Sequence, residues 1–317
     1  MPTAVRGESL STAEALRLGV PPDRLRRADV GHPFHGVVTF AAPLATIADR
    51  SWAYAQVMPE SAWFSNTTAA ALRGLPLPAW CRTAPLHVTV DRGRNAPRGE
   101  GVVGHQRDLQ APASEQMLVP LSTGETVPLR VGTVGATLLT AATDLELSDL
   151  VAIIDAARWA DERSTFDGID RILARSARRA GASALRRAAQ LSRAGVRSRP
   201  ESHLRLLLRR AGFPEPEIAP EVETPIGPLH PDLAWSAFRV LVEYEGDRHR
   251  TDDRVFANDL RRFDAFADVG WSAVRCTRAD LYGEPRRVLG SLARRLRDRG
   301  WVAPARLRLG IRPLAMP

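Results

Sequence analysis

Acidic side chains recur at two nearby places in the C-terminal third of the chain, at Asp232 and at Glu243 and Glu245. The run from Phe238 to Glu245 is rich in β-branched and aromatic residues and ends at a glycine, which predicts a strand followed by a sharp turn. Side chains alternate along a strand, so Glu243 and Glu245 share one face. A short strand from Leu229 to Trp235 would pair with it and carry Asp232 to the same edge of the sheet as Glu243. Crowded carboxylates repel unless a cation neutralises them, and hard oxygen ligands suit Mg²⁺.

Further landmarks surround these acids in a fixed order. They are Ser198-Arg199-Pro200-Glu201 opening a helix, Gly212 to Pro216 closing it, Pro231-Asp232, Val242 to Gly246, His249, Asp259, Arg262, Gly270-Trp271 and Arg275. This ordered set, which covers roughly residues 196–300, resembles the PD-(D/E)XK nuclease superfamily and, within it, the very short patch repair (Vsr)-like branch.

The resemblance implies an α/β nuclease domain, with a mixed sheet flanked by helices, that cleaves DNA strands with Mg²⁺ or, alternatively, Mn²⁺. Asp232 and Glu243 would be metal ligands, and the carbonyl of Tyr244 would be a third. Glu201, from the first helix, would be a supporting acid.

The lysine of the motif is missing, because all 44 basic residues are arginine and Glu245 stands at the lysine position. Arginine cannot accept a proton at a working pH. His249, just beyond the acidic turn, is by residue type the best candidate to activate water, and Glu245 is the alternative base.

A non-catalytic interpretation stays open for the same residues. Charges on an edge strand block unwanted pairing, and Glu201 could be a first-turn acid that favours the helix dipole. The alternative function is therefore a DNA-binding transcriptional regulator whose nuclease fold is degenerate and inactive.

Net charge is +8 and the isoelectric point is near 10.8, and such a positive charge is typical of proteins that bind the phosphate backbone of nucleic acids. The alternative explanation of the positive charge is the coding bias of a GC-rich genome, which favours arginine over lysine. We expect DNA contacts from arginines of the N-terminal helices, of an arginine-rich helical stretch and of the nuclease domain: Arg24, Arg26, Arg27, Arg178, Arg179, Arg262 and Arg275. RNA is not excluded as the target, since phosphate chemistry does not distinguish the sugars.

The N-terminal segment has the pattern of two short helices and a strand. Ser11 to Glu14 reads as a capping box, Arg24 to Asp29 as a second helix, and His32 to Phe40 as the strand of a wing. This segment resembles the winged-helix domain of AbiEi-type antitoxins of type IV toxin-antitoxin systems, which implies a toxin partner.

Composition shifts divide the chain into a winged-helix-like region (1–60), a middle α+β region (61–160), an arginine-rich helical linker or arm (161–195), the nuclease-like domain (196–302) and a tail (303–317). We expect the tail to be poorly ordered. In the middle region Ser65, His87 and Asp91 suggest a hydrolase triad, but a helix cap explains Ser65 better. No long apolar run or signal-like start is present, so we expect a cytoplasmic protein without a membrane partner.

Overall fold

The structure is a computed structural model that describes residues 7–40, 43–109, 112–246 and 253–314, with the backbone alone for 253–259. The chain divides into two compact units. Residues 1–157 and 161–190 form what we call the N-terminal unit, and residues 158–160 and 191–317 form the C-terminal unit. Within the described residues, no helix combines the length and the apolar character needed to cross a membrane.

The first elements of the N-terminal unit are β1 (Ser9–Ser11), α1 (Thr12–Arg17), α2 (Pro22–Leu25) and β2 (Val37–Thr39). The side chain of Ser11 accepts a hydrogen bond from the backbone N–H of Glu14, as the capping pattern predicts. The reciprocal half of the box is replaced, because the Glu14 carboxylate pairs with Arg17 instead. The second helix begins at Pro22 rather than at Arg24, since proline fits the first helical turn.

A six-stranded sheet forms the centre of the N-terminal unit, in the order β5-β6-β4-β3-β8-β7. Its strands are β3 (Trp63–Phe64), β4 (Leu86–Asp91), β5 (Arg98–Gly99), β6 (Val102–Arg107), β7 (Ser114–Pro120) and β8 (Thr126–Gly132). Helices α3 (Ile47–Ala55) and α4 (Asn66–Leu72) pack with it around Tyr54, Phe64 and Val88.

Three further helices belong to this region: α5 (Val134–Ala141), α6 (Leu147–Ser176) and α7 (Ala182–Leu191). Helix α6 is kinked at Asp161, whose side chain accepts a hydrogen bond from the N–H of Ser164 at 2.9 Å and so caps the second half. Ile169, Ile172 and Leu185 are buried, so residues 161–190 contribute to the core of the N-terminal unit. The segment predicted as an arginine-rich helical linker or arm, 161–195, is helical over much of its length, and its residues 161–190 belong to the N-terminal unit.

The C-terminal unit runs helix, three strands, helix, strand, two helices. Its elements are α8 (Arg199–Ala211), β9 (Glu217–Ile218), β10 (Leu233–Trp235), β11 (Val240–Glu245), α9 (Asp253–Asp268), β12 (Ser272–Thr277), α10 (Arg278–Tyr282) and α11 (Arg286–Asp298). The sheet order is β12-β11-β10-β9, with β9, β10 and β11 antiparallel and β12 parallel to β11. The coarse expectation of mixed sheets flanked by helices is confirmed.

One face of this sheet packs on α8 and α11 through a large apolar cluster that includes Leu208, Val242 and Leu292. The opposite face packs on Phe266 of α9 through Ala234 and Leu241. Helix α8 starts at the predicted cap, where the Ser198 side chain accepts from the N–H of Glu201, and stops at Gly212 with a left-handed φ of 93°.

The described part of the tail, 303–314, packs against the C-terminal unit. Leu307, Leu309 and Ile311 pack against the core of the C-terminal unit. The N–H of Arg308 donates to the carbonyl of Ala211 at 2.9 Å. Apolar residues spaced among the prolines supply the burial that composition alone does not reveal.

Candidate functional site

Strand register places the two leading acids across from each other. Leu233 lies opposite Val242 in the antiparallel pair of β10 and β11, and one further residue along that register Asp232 faces Glu243. Leu233 and Val242 belong to the core on one face of the sheet, so Asp232 and Glu243 project from the other. The alternation predicted from sequence is thus the arrangement that the fold adopts.

Asp232 is half-buried directly before β10, and its Oδ2 accepts a hydrogen bond from the backbone N–H of Tyr244 at 2.8 Å. Burial and, after it, the negative charge of Glu201 raise the pKa of Asp232 to about 6. The Tyr244 N–H and the cations Arg262 and Arg197 act in the opposite direction. Asp232 is therefore a carboxylate whose charge is incompletely compensated.

Glu201 comes from the first turn of α8, where its N–H donates to the Ser198 side chain at 3.4 Å. Its own Oε2 accepts from the backbone N–H of Arg197 at 2.9 Å. In this position the negative charge of Glu201 favours the dipole of α8, as the non-catalytic interpretation expects. The same charge also acts on Asp232.

Glu243 is 9% exposed and forms an ion pair with Arg262 of α9. Arg262 Nε and Nη2 donate to Glu243 Oε1 at 3.0 and 2.7 Å, and Nη2 also donates to the carbonyl of His230 at 2.5 Å. The guanidinium carbon lies 5.3 Å from the centre of the Phe266 ring. Arg262 thus neutralises the acid that the sequence assigns to a metal.

Glu245 is paired in the same manner, but in a more exposed place. Arg275 Nε of β12 lies 3.0 Å from Glu245 Oε1, and the two side chains are 37% and 30% exposed. The Arg275 guanidinium also stacks 4.0 Å from the centre of the Phe263 ring.

The donor chemistry fits a divalent cation only in part. Among the described residues, no three His, Cys, Asp or Glu side chains gather closely enough to hold a metal ion. Mg²⁺ commonly uses one or two carboxylates together with waters and a substrate phosphate, and Asp232 beside Glu201 meets that smaller requirement. Glu243 meets it only after release from Arg262. His249 lies outside the described residues.

The arginines expected to contact DNA fall into two groups. Four make short ion pairs within the protein: Arg24 with Asp29, Arg179 with Asp108, Arg262 with Glu243 and Arg275 with Glu245. The other three, Arg26, Arg27 and Arg178, are exposed, and Arg26 lies 3.8 Å from Asp23. Exposed arginines are the ones most readily available to a phosphate backbone.

A second polar cluster, in the N-terminal unit, was not predicted from the sequence. It joins His87, His105 and Asp144, with His87 Nδ1 3.0 Å from His105 Nε2 and 3.6 Å from Asp144 Oδ2. Two histidines on separate strands give no local spacing signal. Only the position of His87 between Leu86 and Val88 hinted that this side chain leaves the apolar face.

Comparison with known proteins assigns no activity. No family model matches the chain. Uncharacterized proteins from two strains of Mycobacterium tuberculosis are each 28% identical over 154 residues, which is 48% of this chain and 56% of theirs. The chain thus spans about half the length of the curated relatives it matches.

Proposed function

We propose that the chain is a Mg²⁺-dependent DNA endonuclease, with a Vsr-like PD-(D/E)XK nuclease domain in the C-terminal unit and an AbiEi-like winged helix at the N-terminus. The observation that carries the proposal is the register that sets Asp232 across from Glu243, with the charge of Glu201 nearby. The order of helix, strands, helix, strand and helix also agrees with an α/β nuclease core.

In this proposal each residue of the site has a separate task. Asp232, held by the N–H of Tyr244, and Glu243 would hold the metal, with Glu201 adding negative charge. A bound Mg²⁺ would lower the pKa of a coordinated water and neutralise charge on the phosphate. Arg262 would leave Glu243 and contact the phosphate, since guanidinium binds phosphate oxygens well. His249, or alternatively Glu245, would accept the proton of the attacking water.

A second candidate is a DNA-binding regulator with a degenerate nuclease fold. The ion pairs of Glu243 with Arg262 and of Glu245 with Arg275 favour it, because both acids are already neutralised by protein cations. The absence of lysine from the chain favours it as well. Such a protein would bind DNA in a salt-dependent way without cleaving it.

Incubation of the purified protein with supercoiled plasmid in Mg²⁺, Mn²⁺ or EDTA separates the two candidates. We expect nicking with either metal and none with EDTA. Asp232→Asn should abolish nicking, whereas Asp264→Asn, which changes an exposed acid of α9, should retain it. Parallel single-stranded DNA and RNA substrates define the target.

His249→Ala gives the corresponding test of the base. Cleavage should be lost while DNA binding and Mg²⁺ affinity persist, and wild-type activity should fall below about pH 6 as the imidazole becomes protonated. If the wild type cleaves no substrate with any divalent ion but still binds DNA, the regulator is the correct function.

A further inference from the structure

A cavity of about 430 Å³ lies within the N-terminal unit, away from the acidic cluster. It is lined by three short segments, residues 31–34, 43–44 and 83–85, together with Thr39, Arg50 and Gly101. These residues come from both sides of β2, from α3 and from the loops that precede β4 and β6. Pockets for small molecules usually have volumes of roughly 300–1,000 Å³, so the cavity has room for one.

Apolar and rigid groups form much of the cavity wall. The ring of Phe34 is buried and packs edge-on against Tyr54, with 5.2 Å between the ring centroids. Gly101 has a left-handed φ of 75°, and a Cβ at this position would lie 3.1 Å from Phe34 Cε1, so glycine keeps this part of the wall open. Prolines, whose φ is fixed, stand at three further positions of the wall: Pro33, Pro43 and Pro85. The wall is therefore suited to an apolar molecule of defined shape.

Arg50 of α3 supplies a positive charge to this largely apolar cavity. The side chain is half-buried, and its Nη2 donates to the carbonyl of Ala84 at 2.6 Å. Its Nε is sealed from solvent, whereas Nη1 is not sealed and makes no hydrogen bond to the described residues. Burial lowers the pKa of Arg50, and no acidic side chain among the described residues opposes that shift. A cation withdrawn from water in this way is costly unless an anion pairs with it.

The N-terminal unit offers Arg50 no carboxylate of its own. Asp49, the adjacent acid, has both oxygens engaged elsewhere, since they accept from the backbone N–H groups of Ser122 and Thr46 at 2.9 Å each. The residues of this unit outside the described ranges are 1–6, 41–42 and 110–111, and their sequences include no Asp or Glu. The anion that would balance Arg50 must therefore come from outside this unit.

Two other polar side chains of the wall are already held by the protein. His32 Nε2 lies 2.9 Å from the carbonyl of Leu25, so this nitrogen carries the proton and donates it there. Thr39 Oγ1 accepts from Ser9 Oγ at 3.1 Å. Arg50 is thus the group at this cavity with both a charge and a donor left for a ligand.

We propose that this cavity binds a small organic monoanion that carries a carboxylate group on an apolar body. Arg50 would donate to the carboxylate through Nη1 and the second N–H of Nη2, because the planar guanidinium matches carboxylate geometry. The apolar body would lie against Phe34, Leu44 and the prolines. A single cation favours a single negative charge, since a phosphate monoester would keep a second charge uncompensated in an apolar site. The proposal is independent of cleavage by the C-terminal unit.

Calorimetric titration of the full chain with 1-naphthoate and octanoate tests the site with a flat and a linear apolar body. At least one of the two should bind about tenfold or more tightly than acetate, which has the carboxylate without the body. The uncharged 1-naphthamide should bind at least about tenfold more weakly than 1-naphthoate, because it cannot balance Arg50. Tighter binding of 1-naphthyl phosphate than of either carboxylate would overturn the assignment to a monoanion.

Substitutions at Arg50 test which residue holds the anion. Arg50→Gln should weaken binding of the carboxylate by about tenfold or more, and Arg50→Lys, which keeps the charge but not the planar fork, should weaken it less. Arg82→Gln is the matched control, because Arg82 is exposed and directly precedes the cavity residue Thr83. It should leave binding within about twofold.

Thermal unfolding gives a second readout that separates lost binding from lost folding. A ligand that binds the folded state raises the melting temperature, so the carboxylate should raise it for the wild type and for Arg82→Gln. The same concentration should leave the melting temperature of Arg50→Gln unchanged. If Arg50→Gln does not fold, Arg50→Lys and the comparison of 1-naphthoate with 1-naphthamide on the wild type decide. Failure of both carboxylates to bind, or binding that 1-naphthamide equals and the Arg50 variants leave unchanged, would overturn the proposal.

Discussion

The acidic cluster of the C-terminal unit and the histidine cluster of the N-terminal unit differ in how their buried titratable groups are stabilised. Glu243 and Glu245 are neutralised by arginines at 2.7 and 3.0 Å, so their charges are satisfied within the fold. His87 and His105 avoid charge, since burial lowers the pKa of each. Asn66 Oδ1 and Thr89 Oγ1, in the same unit, are buried without a hydrogen-bond partner among the described residues. An ion pair leaves neither of its charges uncompensated, whereas a buried polar atom without a partner costs free energy.

Removing Arg262 should have the largest effect on stability. Arg262→Met leaves Glu243 buried without its cation, and we expect a loss of about 3 kcal/mol in the free energy of unfolding. Hydrogen exchange of the β11 amides during urea titration measures this locally.

Two variants serve as controls for Arg262→Met. Arg275→Met breaks the exposed pair with Glu245 and should cost no more than about 1 kcal/mol. The double variant Glu243→Gln with Arg262→Met should recover most of the loss, because no buried charge remains. Equal costs for the two single variants would show that Glu243 is not held by its ion pair.

Removing the charge of Asp232 should have an effect of intermediate size, and it should stabilise the folded protein rather than destabilise it. Its pKa is raised from 3.8 to about 6, so its ionised form destabilises the folded state. The destabilisation is absent below 3.8, develops as the pH rises toward 6, and is complete above that. Asp232→Asn should therefore stabilise the protein by roughly 2 to 3 kcal/mol in that upper range and by nearly nothing in acid. Urea unfolding in acidic and alkaline buffers measures the difference, and a variant destabilised in both would contradict it.

Removing the hydroxyl of Thr89, in the N-terminal unit, should have the smallest effect on stability. Thr89→Val removes a hydroxyl without a partner in the described structure, so stability should be unchanged or increase by up to about 1 kcal/mol. Thr140→Val is the matched control, because its hydroxyl accepts from the N–H of Asn66 and donates to the carbonyl of Ala136. The control should lose about 1 to 2 kcal/mol in thermal unfolding. A similar loss for Thr89→Val would mean that a bound molecule already satisfies this hydroxyl.

Local patterns in the sequence were sufficient for the elements that carry the acidic cluster. Alternation along β11 predicted that Glu243 and Glu245 share a face, and the cap at Ser198 predicted where α8 begins. These features depend on neighbouring residues, since side-chain direction repeats every two residues in a strand and caps act within one turn.

Which charges meet depends on tertiary packing. Arg262 lies 19 residues from Glu243, and Asn66 lies 78 residues from Asp144, so no local spacing predicts either contact. The packing of α9 on the sheet brings Arg262 to Glu243. Helix α4 packs with α5, where the N–H of Asn66 donates to Thr140, and the turn after α5 then brings Asp144 to Asn66. Such contacts depend on how whole elements pack, because an ion pair or a buried hydrogen bond forms only where the surrounding core fixes both partners.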